Sequence, residues 1–260
     1  MTGSLDGKVV LITRPREEAG ELARLLEDRG AHPLVAPAIE RLAVPVESFD
    51  EALRTLLAGG FAWAVFTSRA AVEAVLVRLG PNDRVELPAR VAAIGEGTAS
   101  ALRRFGVEPD LVPGTFTTAA LGRALPRGSG NVLLARADIA PDGLDEAVAA
   151  KGWTPVRLDA YRTRPAHSMP DEARVALREG RVDAVTFTSA STVEGFMAVA
   201  DEVLARTAGG APKAVCIGPV TADAARRAGL PVVAVARPHT IEGLVVALER
   251  ALRPRKSKEP

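Results

Sequence analysis

The sequence contains a single cysteine, Cys216, and only three histidines among its 260 residues. One cysteine cannot form an internal disulfide, and it cannot build a zinc cluster with histidines that are scattered along the chain. His32, His167 and His239 also form no H-E-x-x-H motif. Cys216 lies in an apolar run, which predicts a packing residue rather than a reactive thiol. We therefore expect neither a disulfide nor a metal site.

Net charge is nearly absent as well, because 33 Lys and Arg residues balance 32 Asp and Glu residues to give +1. A dedicated nucleic-acid binder normally carries a basic face or stripe, so the charge balance argues against that class. No apolar run approaches the length that spans a bilayer, and residues 1–8 are too short and polar for a signal peptide. We expect a cytoplasmic protein that binds neither nucleic acid nor membrane, with a disordered charged tail at 253–260.

Familiar catalytic and cofactor motifs are also missing. No Ser-His-Asp or Cys-His arrangement can be assembled. Gly95–Gly97 contains a G-x-G pattern but lacks the full dinucleotide spacing, and Glu96 would repel a pyrophosphate. Asp138, Asp142 and Asp145 precede or open a helix, where acidic side chains suit the helix dipole better than paired-carboxylate catalysis. The sequence therefore predicts no cofactor.

Internal repetition, in contrast, is abundant. Four blocks recur in the same order at an offset of about 122 residues. The matched blocks are Val10–Arg14 with Val132–Arg136, Val65–Ser68 with Thr186–Ser189, Ile94–Gly106 with Ile217–Gly229, and Thr117 with Thr240. Agreement in both order and spacing indicates a duplicated structural unit.

Each repeat alternates short apolar runs with amphipathic helical stretches. This alternation predicts a doubly wound parallel sheet with helices on both faces, and two copies predict two similar α/β lobes. Two further segments, 38–46 and 158–165, alternate in hydropathy and contain prolines. We expect them to be extended and to pair as an antiparallel connector between the lobes.

The carboxyl ends of the predicted strands carry the candidate binding residues, since ligands of parallel α/β sheets lie beyond those ends. The candidates are Arg14, Ser68, Gly95, Thr98, Arg136, Ser189, Gly218 and Thr221. The serines are predicted helix N-caps, and the two threonines are predicted to cap the helices that follow the Gly turns. Capping alone and capping combined with anion binding both remain open, as do structural and carboxylate-binding roles for the two arginines.

Tyr161 is the only tyrosine, and it stands where the repeat is broken. Its counterpart in the first copy is Ile39. A polar replacement at a connector is compatible with a functional hydroxyl. It is equally compatible with a tyrosine that anchors the linker through a packed ring and a bonded hydroxyl.

Several motifs together resemble the uroporphyrinogen-III synthase family over nearly the whole chain. They are LITRP near the start, FTS and IGxxTA in both repeats, LLARADIAPDGL, and AYRT at residues 160–163. The resemblance implies two α/β lobes with crossed connectivity. One lobe would comprise 1–37 with 167–260, the other 44–159, and 38–43 and 160–166 would form a two-stranded linker.

The resemblance also implies a reaction, the cyclisation of hydroxymethylbilane with loss of water and inversion of ring D, by a lyase without a cofactor. Tyr161 matches the family's best candidate for assisting the departure of the hydroxyl group. Thr98 and Thr221 match threonines that line the family's cleft. The implied partner is a small polycarboxylate tetrapyrrole bound by a monomer, with a transient contact to the preceding pathway enzyme.

Two other interpretations remain from the sequence. One is a non-catalytic regulator that binds a tetrapyrrole or another anion on the same scaffold, and the other is a bilobed solute-binding module. The retained Tyr161 favours the enzyme, because a pure binder has no evident need for it. Glu96 departs from expectation, since a carboxylate in a binding turn disfavours an anionic substrate.

Overall fold

Strands and helices alternate along the chain, as the repeat pattern predicts. The computed structural model describes residues 3–80, 85–205, 207 and 210–253. Residues 81–84 and most of the predicted tail, 254–260, lie outside these residues. The first half contains β1 (Val9–Ile12), α1 (Arg16–Glu27), β2 (His32–Val35), β3 (Ile39–Leu42), α2 (Val46–Leu57), β4 (Trp63–Phe66), α3 (Arg69–Leu79), β5 (Arg90–Ala93), α4 (Glu96–Arg104) and α5 (Thr118–Ala124).

The second half contains β6 (Asn131–Ala137), α6 (Gly143–Ala149), β7 (Thr154–Pro165), α7 (Asp171–Arg178), β8 (Ala184–Phe187), α8 (Ala190–Leu204), β9 (Lys213–Cys216), α9 (Pro219–Arg227), β10 (Val232–Val235) and α10 (Ile241–Leu252). The chain divides into two units. Unit 1 comprises residues 1–40 and 164–260, and unit 2 comprises 41–163. Both divisions fall inside the segments expected to link the lobes.

Each unit contains one five-stranded sheet. The order is β10-β9-β8-β1-β2 in unit 1 and β3-β7-β6-β4-β5 for the sheet of unit 2, whose edge strand β3 crosses the unit boundary between residues 40 and 41. The strand pairs with a defined register are all parallel. They are β1 with β2 and β8, β9 with β8 and β10, β6 with β4 and β7, and β4 with β5. The predicted α/β class with parallel sheets is therefore confirmed.

The two repeats exchange halves between the units. Strands β1 and β2 of the first repeat pair in unit 1 with β8 to β10 of the second repeat, while β4 and β5 pair in unit 2 with β6 and β7. When the repeats are matched, β9-β8-β1-β2 corresponds to β5-β4-β6-β7. The four matched strands thus have the same order in both sheets, the fifth strand lies at opposite edges (β10 beside β9, β3 beside β7), and each sheet is built from both copies of the duplicated sequence.

Both faces of each sheet are buried, which explains the near-continuous apolar runs of the strands. In unit 1, Val10 and Ile12 contribute to one core and Leu11 to the other. In unit 2, Val65 and Phe66 likewise lie in different cores. Cys216 is a fully buried member of its core, so its predicted packing role is confirmed, and burial raises the pKa of its thiol to about 11.

The predicted helix caps are only partly correct. Ser68 accepts a hydrogen bond from the backbone N–H of Ala71, and Ser189 forms a capping box with Thr192. The prediction that Thr98 and Thr221 cap their helices is wrong. Gly95 and Gly218 occupy the cap positions of α4 and α9, and each threonine is the buried third residue of its helix.

Candidate functional site

The strand order places a topological switch point in each sheet. In unit 1 the chain runs from β1 to β2 on one side and through β8 to β10 on the other, so the switch lies between β1 and β8. In unit 2 it lies between β4 and β6. Ligands of open parallel sheets bind beyond the carboxyl ends at such points. In unit 1, Arg14 follows β1 and Ser189 follows β8. In unit 2, Ser68 follows β4 and Arg136 lies at the carboxyl end of β6.

At the switch point of unit 2 the structure brings two hydroxyl groups together. The hydroxyl of Tyr161 on β7 lies 3.1 Å from Oγ of Ser68. That oxygen also accepts the N–H of Ala71 at 3.0 Å, so it belongs to the positive end of α3. Both side chains are half-buried. A phenol with a bonded partner at a helix N-terminus can donate a hydrogen bond or a proton to a neighbouring ligand atom.

The Tyr161 ring also has a cation near its face. The guanidinium carbon of Arg41 on β3 lies 5.3 Å from the ring centroid, within the range of a cation–π interaction. Sequence reasoning missed Arg41, although it lies in the alternating segment expected to link the lobes. In unit 1 the counterpart of Tyr161, Ile39, is buried near Gly195 on α8. The hydroxyl pair is therefore a feature of unit 2.

Arg136 is occupied by the loop that follows β6. Its residue is 1% exposed, and Nη2 donates to the carbonyl oxygens of Ala140 and Pro141, each at 2.7 Å. Nη1 donates to the carboxylate of Asp145. Because both terminal nitrogens have protein acceptors, the geometry gives Arg136 a positioning role. Sequence reasoning interpreted Asp145 as a helix-dipole residue and did not find this buried pair.

The loop held by Arg136 is joined to the strand of Tyr161. The backbone N–H of Asp138 donates to the carbonyl oxygen of Tyr161 at 3.1 Å. The Asp138 carboxylate accepts the backbone N–H of Thr163 at 2.8 Å. Arg136 therefore helps to fix the backbone on which the Tyr161 side chain is mounted.

Arg14, the counterpart of Arg136, has two donors without a partner among the described residues, whereas Arg136 has one, its Nε. The residue is 5% exposed, and Nη2 donates to Glu18 at 2.8 Å. Nε and Nη1 are buried and have no hydrogen-bond partner among the residues that the structure describes. Buried donors without a partner are uncommon and need an explanation. Arg14 is therefore the more suitable of the two strand-end arginines for an added carboxylate.

The two glycine turns are each covered by an aromatic ring. A Cβ atom on Gly95 would lie 2.8 Å from Cγ of Phe116, so this position needs glycine for close approach. A Cβ atom on Gly218 would lie 3.8 Å from the ring of His239. Glu96 accepts hydrogen bonds from Arg103 and from Ser100 along the exposed surface of α4. Its carboxylate is thus ion-paired, which reduces the objection that the sequence raised against this turn.

The described residues contain no group of three or more His, Cys, Asp and Glu side chains suited to hold a metal ion. Within the same ranges, no helix combines the length and hydropathy needed to cross a membrane. Thr98 and Thr221 are buried beside the glycine turns, and their predicted roles in binding stay predictions. The structure therefore offers two sets of strand-end groups, with the hydroxyl pair in unit 2 and the partly unpaired Arg14 in unit 1.

Comparison with known proteins gives a consistent result. The family model of uroporphyrinogen-III synthase HemD matches residues 20–246. A uroporphyrinogen-III synthase of Synechococcus elongatus is 29% identical over 262 residues, covering 96% of this chain and 97% of that protein. A porphyrin biosynthesis protein HemD of Ruminiclostridium josui is 30% identical over 94% of this chain, which spans only 49% of that protein's length.

Solved structures agree. A mutant uroporphyrinogen III synthase of Thermus thermophilus superimposes with a TM-score of 0.64 at 27% identity, covering 94% of this chain and 98% of that one. The enzyme of Helicobacter pylori gives a TM-score of 0.59 at 18% identity, which supports the fold alone. The family match spans both repeats and both units. The chain belongs to the uroporphyrinogen-III synthase family, whose members are lyases of porphyrin biosynthesis.

Proposed function

We propose that this chain cyclises hydroxymethylbilane to uroporphyrinogen III, with loss of water and inversion of ring D, and that unit 2 supplies the reacting hydroxyl. The observation that carries this proposal is the 3.1 Å contact between Tyr161 and Ser68 at a switch point. The family match supports the same reaction. A regulator that only binds a tetrapyrrole is the second candidate, and it gives no reason for a hydroxyl pair at this position.

The proposed chemistry needs few groups. The hydroxymethyl oxygen leaves as water once it has received a proton, and the carbon that it leaves becomes a cationic azafulvene. Tyr161 donates its proton to the departing oxygen, and the Ser68 hydroxyl donates a hydrogen bond to the phenol oxygen as that proton leaves. To invert ring D, its substituted α-carbon attacks the azafulvene carbon, and the bond from that α-carbon to its own bridging methylene breaks. The freed methylene carbon then bonds to the unsubstituted α-carbon of ring D, which loses the proton that restores the pyrrole and the Tyr161 phenol. Holding both ends of one flexible molecule within reach is a proximity effect and requires no further catalytic side chain.

Recognition of the substrate is proposed to rest on its carboxylates. Arg14 contributes Nε and Nη1, and helix N-termini contribute backbone N–H groups beside Ser68, Gly95, Ser189 and Gly218. Thr98 and Thr221 border the glycine turns, and Arg136 acts by holding its loop. A helix terminus contributes about 0.3–1 kcal/mol per carboxylate, so several are needed for firm binding. We further propose a monomeric, cytoplasmic protein of two similar lobes, without a nucleic-acid or membrane partner, in transient contact with the enzyme that makes the bilane.

The rate of ring closure tests this function. Purified protein is mixed with freshly made hydroxymethylbilane, and uroporphyrinogen is measured after oxidation by its absorbance. We expect a rate that increases in proportion to protein concentration and exceeds spontaneous closure. A rate that stays at the spontaneous value at every protein concentration would favour the binding-only regulator.

Arg41 gives a separate prediction about positioning. Replacing Arg41 with Met removes the cation over the Tyr161 ring. A cation–π contact contributes about 0.5–2 kcal/mol, so we expect a fall in kcat of about twofold to thirtyfold with a smaller change in KM. Arg41→Lys, which retains the cation, should recover part of the loss. Arg162→Met changes an exposed arginine on the same strand as Tyr161 and serves as control; an equal loss in both Met variants would contradict a specific role for Arg41.

A further inference from the structure

The matched glycine turns of the two units carry different chemistry. The unit 1 turn consists of residues 218–219 with 236–239, and the unit 2 turn consists of residues 95–96 with 113–116. By the repeat, Pro219 corresponds to Glu96, Arg237 to Gly114 and His239 to Phe116. One turn carries basic side chains where the other has none.

The unit 1 turn opens into a cavity of about 310 Å³. The lining residues are Pro219, Ala222, Arg226, Val235, Arg237, Pro238 and His239. Arg226 pairs with Asp223 at 2.8 Å, which offsets part of its charge. The exposed Arg237 makes no hydrogen bond or ion pair within the part of the chain that the structure describes. All three ionisable side chains of the cavity are therefore basic, and one of them has no internal partner.

His239 is held in a defined orientation. Its Nδ1 lies 2.8 Å from the carbonyl oxygen of Ala236. A carbonyl oxygen only accepts, so Nδ1 carries the hydrogen, and Nε2 is the nitrogen that donates to a carboxylate when the imidazole is protonated. The nearest acidic residue along the chain, Glu242, is occupied by its own backbone N–H and by Thr240, which lower its pKa. It is not part of the cavity lining.

The unit 2 turn cannot offer the same contact. Glu96 adds a carboxylate there, although Arg103 pairs with it. The Phe116 ring covers Gly95 and is 46% exposed. Residues 113–116 contain no cationic side chain. This turn presents an apolar ring where the other presents Arg237 and an imidazole.

We propose that the cavity between α9 and the segment joining β10 to α10 is a carboxylate subsite formed by Arg237 and His239. Within the proposed function it adds basic side-chain contacts to one acidic side chain of the linear tetrapyrrole, whereas the matching turn of unit 2 offers only backbone N–H groups. An enzyme that inverts only one terminal ring must distinguish the two ends of its substrate. A basic side-chain contact present in one copy of a duplicated turn supplies such a distinction. The inference rests on the proposed function for the identity of the ligand, but not for its chemical class.

A binding experiment tests the subsite without turnover. The three histidines give three imidazole Cε1–H signals in proton NMR, and His239→Gln identifies one of them. Benzenehexacarboxylate is added as the probe. We expect the His239 signal to move in a saturable way while those of His32 and His167 do not. Arg237→Gln should weaken the effect by about tenfold, the value of one charge-assisted hydrogen bond.

Arg250→Gln is the matched control, because it removes the same charge from an exposed position of unit 1 outside the cavity. An unmoved His239 signal, or equal weakening by both Gln variants, would overturn the subsite. In steady-state assays of uroporphyrinogen formation, Arg237→Gln should raise KM for hydroxymethylbilane more than it lowers kcat. If the wild-type protein turns over hydroxymethylbilane and Arg237→Gln has the same KM as wild type, the subsite is wrong and the function stands. If wild-type protein does not turn over, the function fails and the NMR titration still decides the subsite.

Discussion

Tyr161→Phe is expected to lower kcat for uroporphyrinogen formation by about 100-fold while the protein remains folded. The phenylalanine keeps the ring and its contact with Arg41, but it removes the hydroxyl that lies 3.1 Å from Ser68. General acid catalysis by a positioned side chain contributes about 10²–10⁴-fold, and the lower end suits a step in which Ser68 and solvent remain. Single-turnover kinetics with hydroxymethylbilane measures the loss, and circular dichroism checks the fold.

The duplicated sequence provides a matched control for this prediction. Ser68→Ala and Ser189→Ala each remove an equivalent N-cap, at a cost of about 0.5–2 kcal/mol in stability. Only Ser68→Ala also removes the partner of Tyr161, so its kcat should fall further. The double variant Tyr161→Phe with Ser68→Ala should be no slower than Tyr161→Phe alone. Full turnover by Tyr161→Phe would contradict a chemical role for the hydroxyl and leave Tyr161 as a linker anchor.

Arg136→Met is expected to lower the free energy of unfolding by about 3–5 kcal/mol, the usual cost of removing one partner of a buried ion pair. The substitution leaves the carbonyl oxygens of Ala140 and Pro141 and the Asp145 carboxylate without their donor. Urea denaturation followed by tryptophan fluorescence measures the change, because both tryptophans, Trp63 and Trp153, lie in unit 2.

Arg157→Met is the control for Arg136. Arg157 also pairs with acidic residues around the same loop, Asp142 and Asp159, but its side chain is 29% exposed. Such pairs contribute about 1 kcal/mol or less. Since the loop bonds to the backbone of Tyr161 through Asp138, Arg136→Met should also lower kcat in the fraction that remains folded. Equal stability losses in the two variants would contradict the special role of the buried guanidinium.

The repeat predicts the strands of each unit but not how they combine. β4 and β8 end in VFTS and TFTS, so β1 could pair with either on the basis of side-chain chemistry alone. The observed exchange, β1 with β8 and β6 with β4, depends on how far each connection reaches and on which helices cover the faces. No local sequence pattern indicates which partner each strand takes, and only the family resemblance implied crossed connectivity.

The candidate site was predictable where local geometry determines it. Ser68 and Ser189 follow apolar runs and precede helical stretches, and both are N-caps. The same reasoning failed for Thr98, because Gly95 adopts the extended cap conformation and Thr98 becomes a buried residue of the first turn. The contact between Ser68 and Tyr161 joins residues 93 positions apart, so it follows from strand order and no local pattern indicates it.

The identity of the product isomer tests the central claim most directly. Hydroxymethylbilane closes without help to uroporphyrinogen I, whereas inversion of ring D gives isomer III. After reaction with the purified protein, the products are oxidised and separated by chromatography. We expect isomer III in excess over a protein-free control, with the excess reduced in Tyr161→Phe. Isomer I alone, formed at the spontaneous rate, would contradict the synthase function and assign the scaffold to binding.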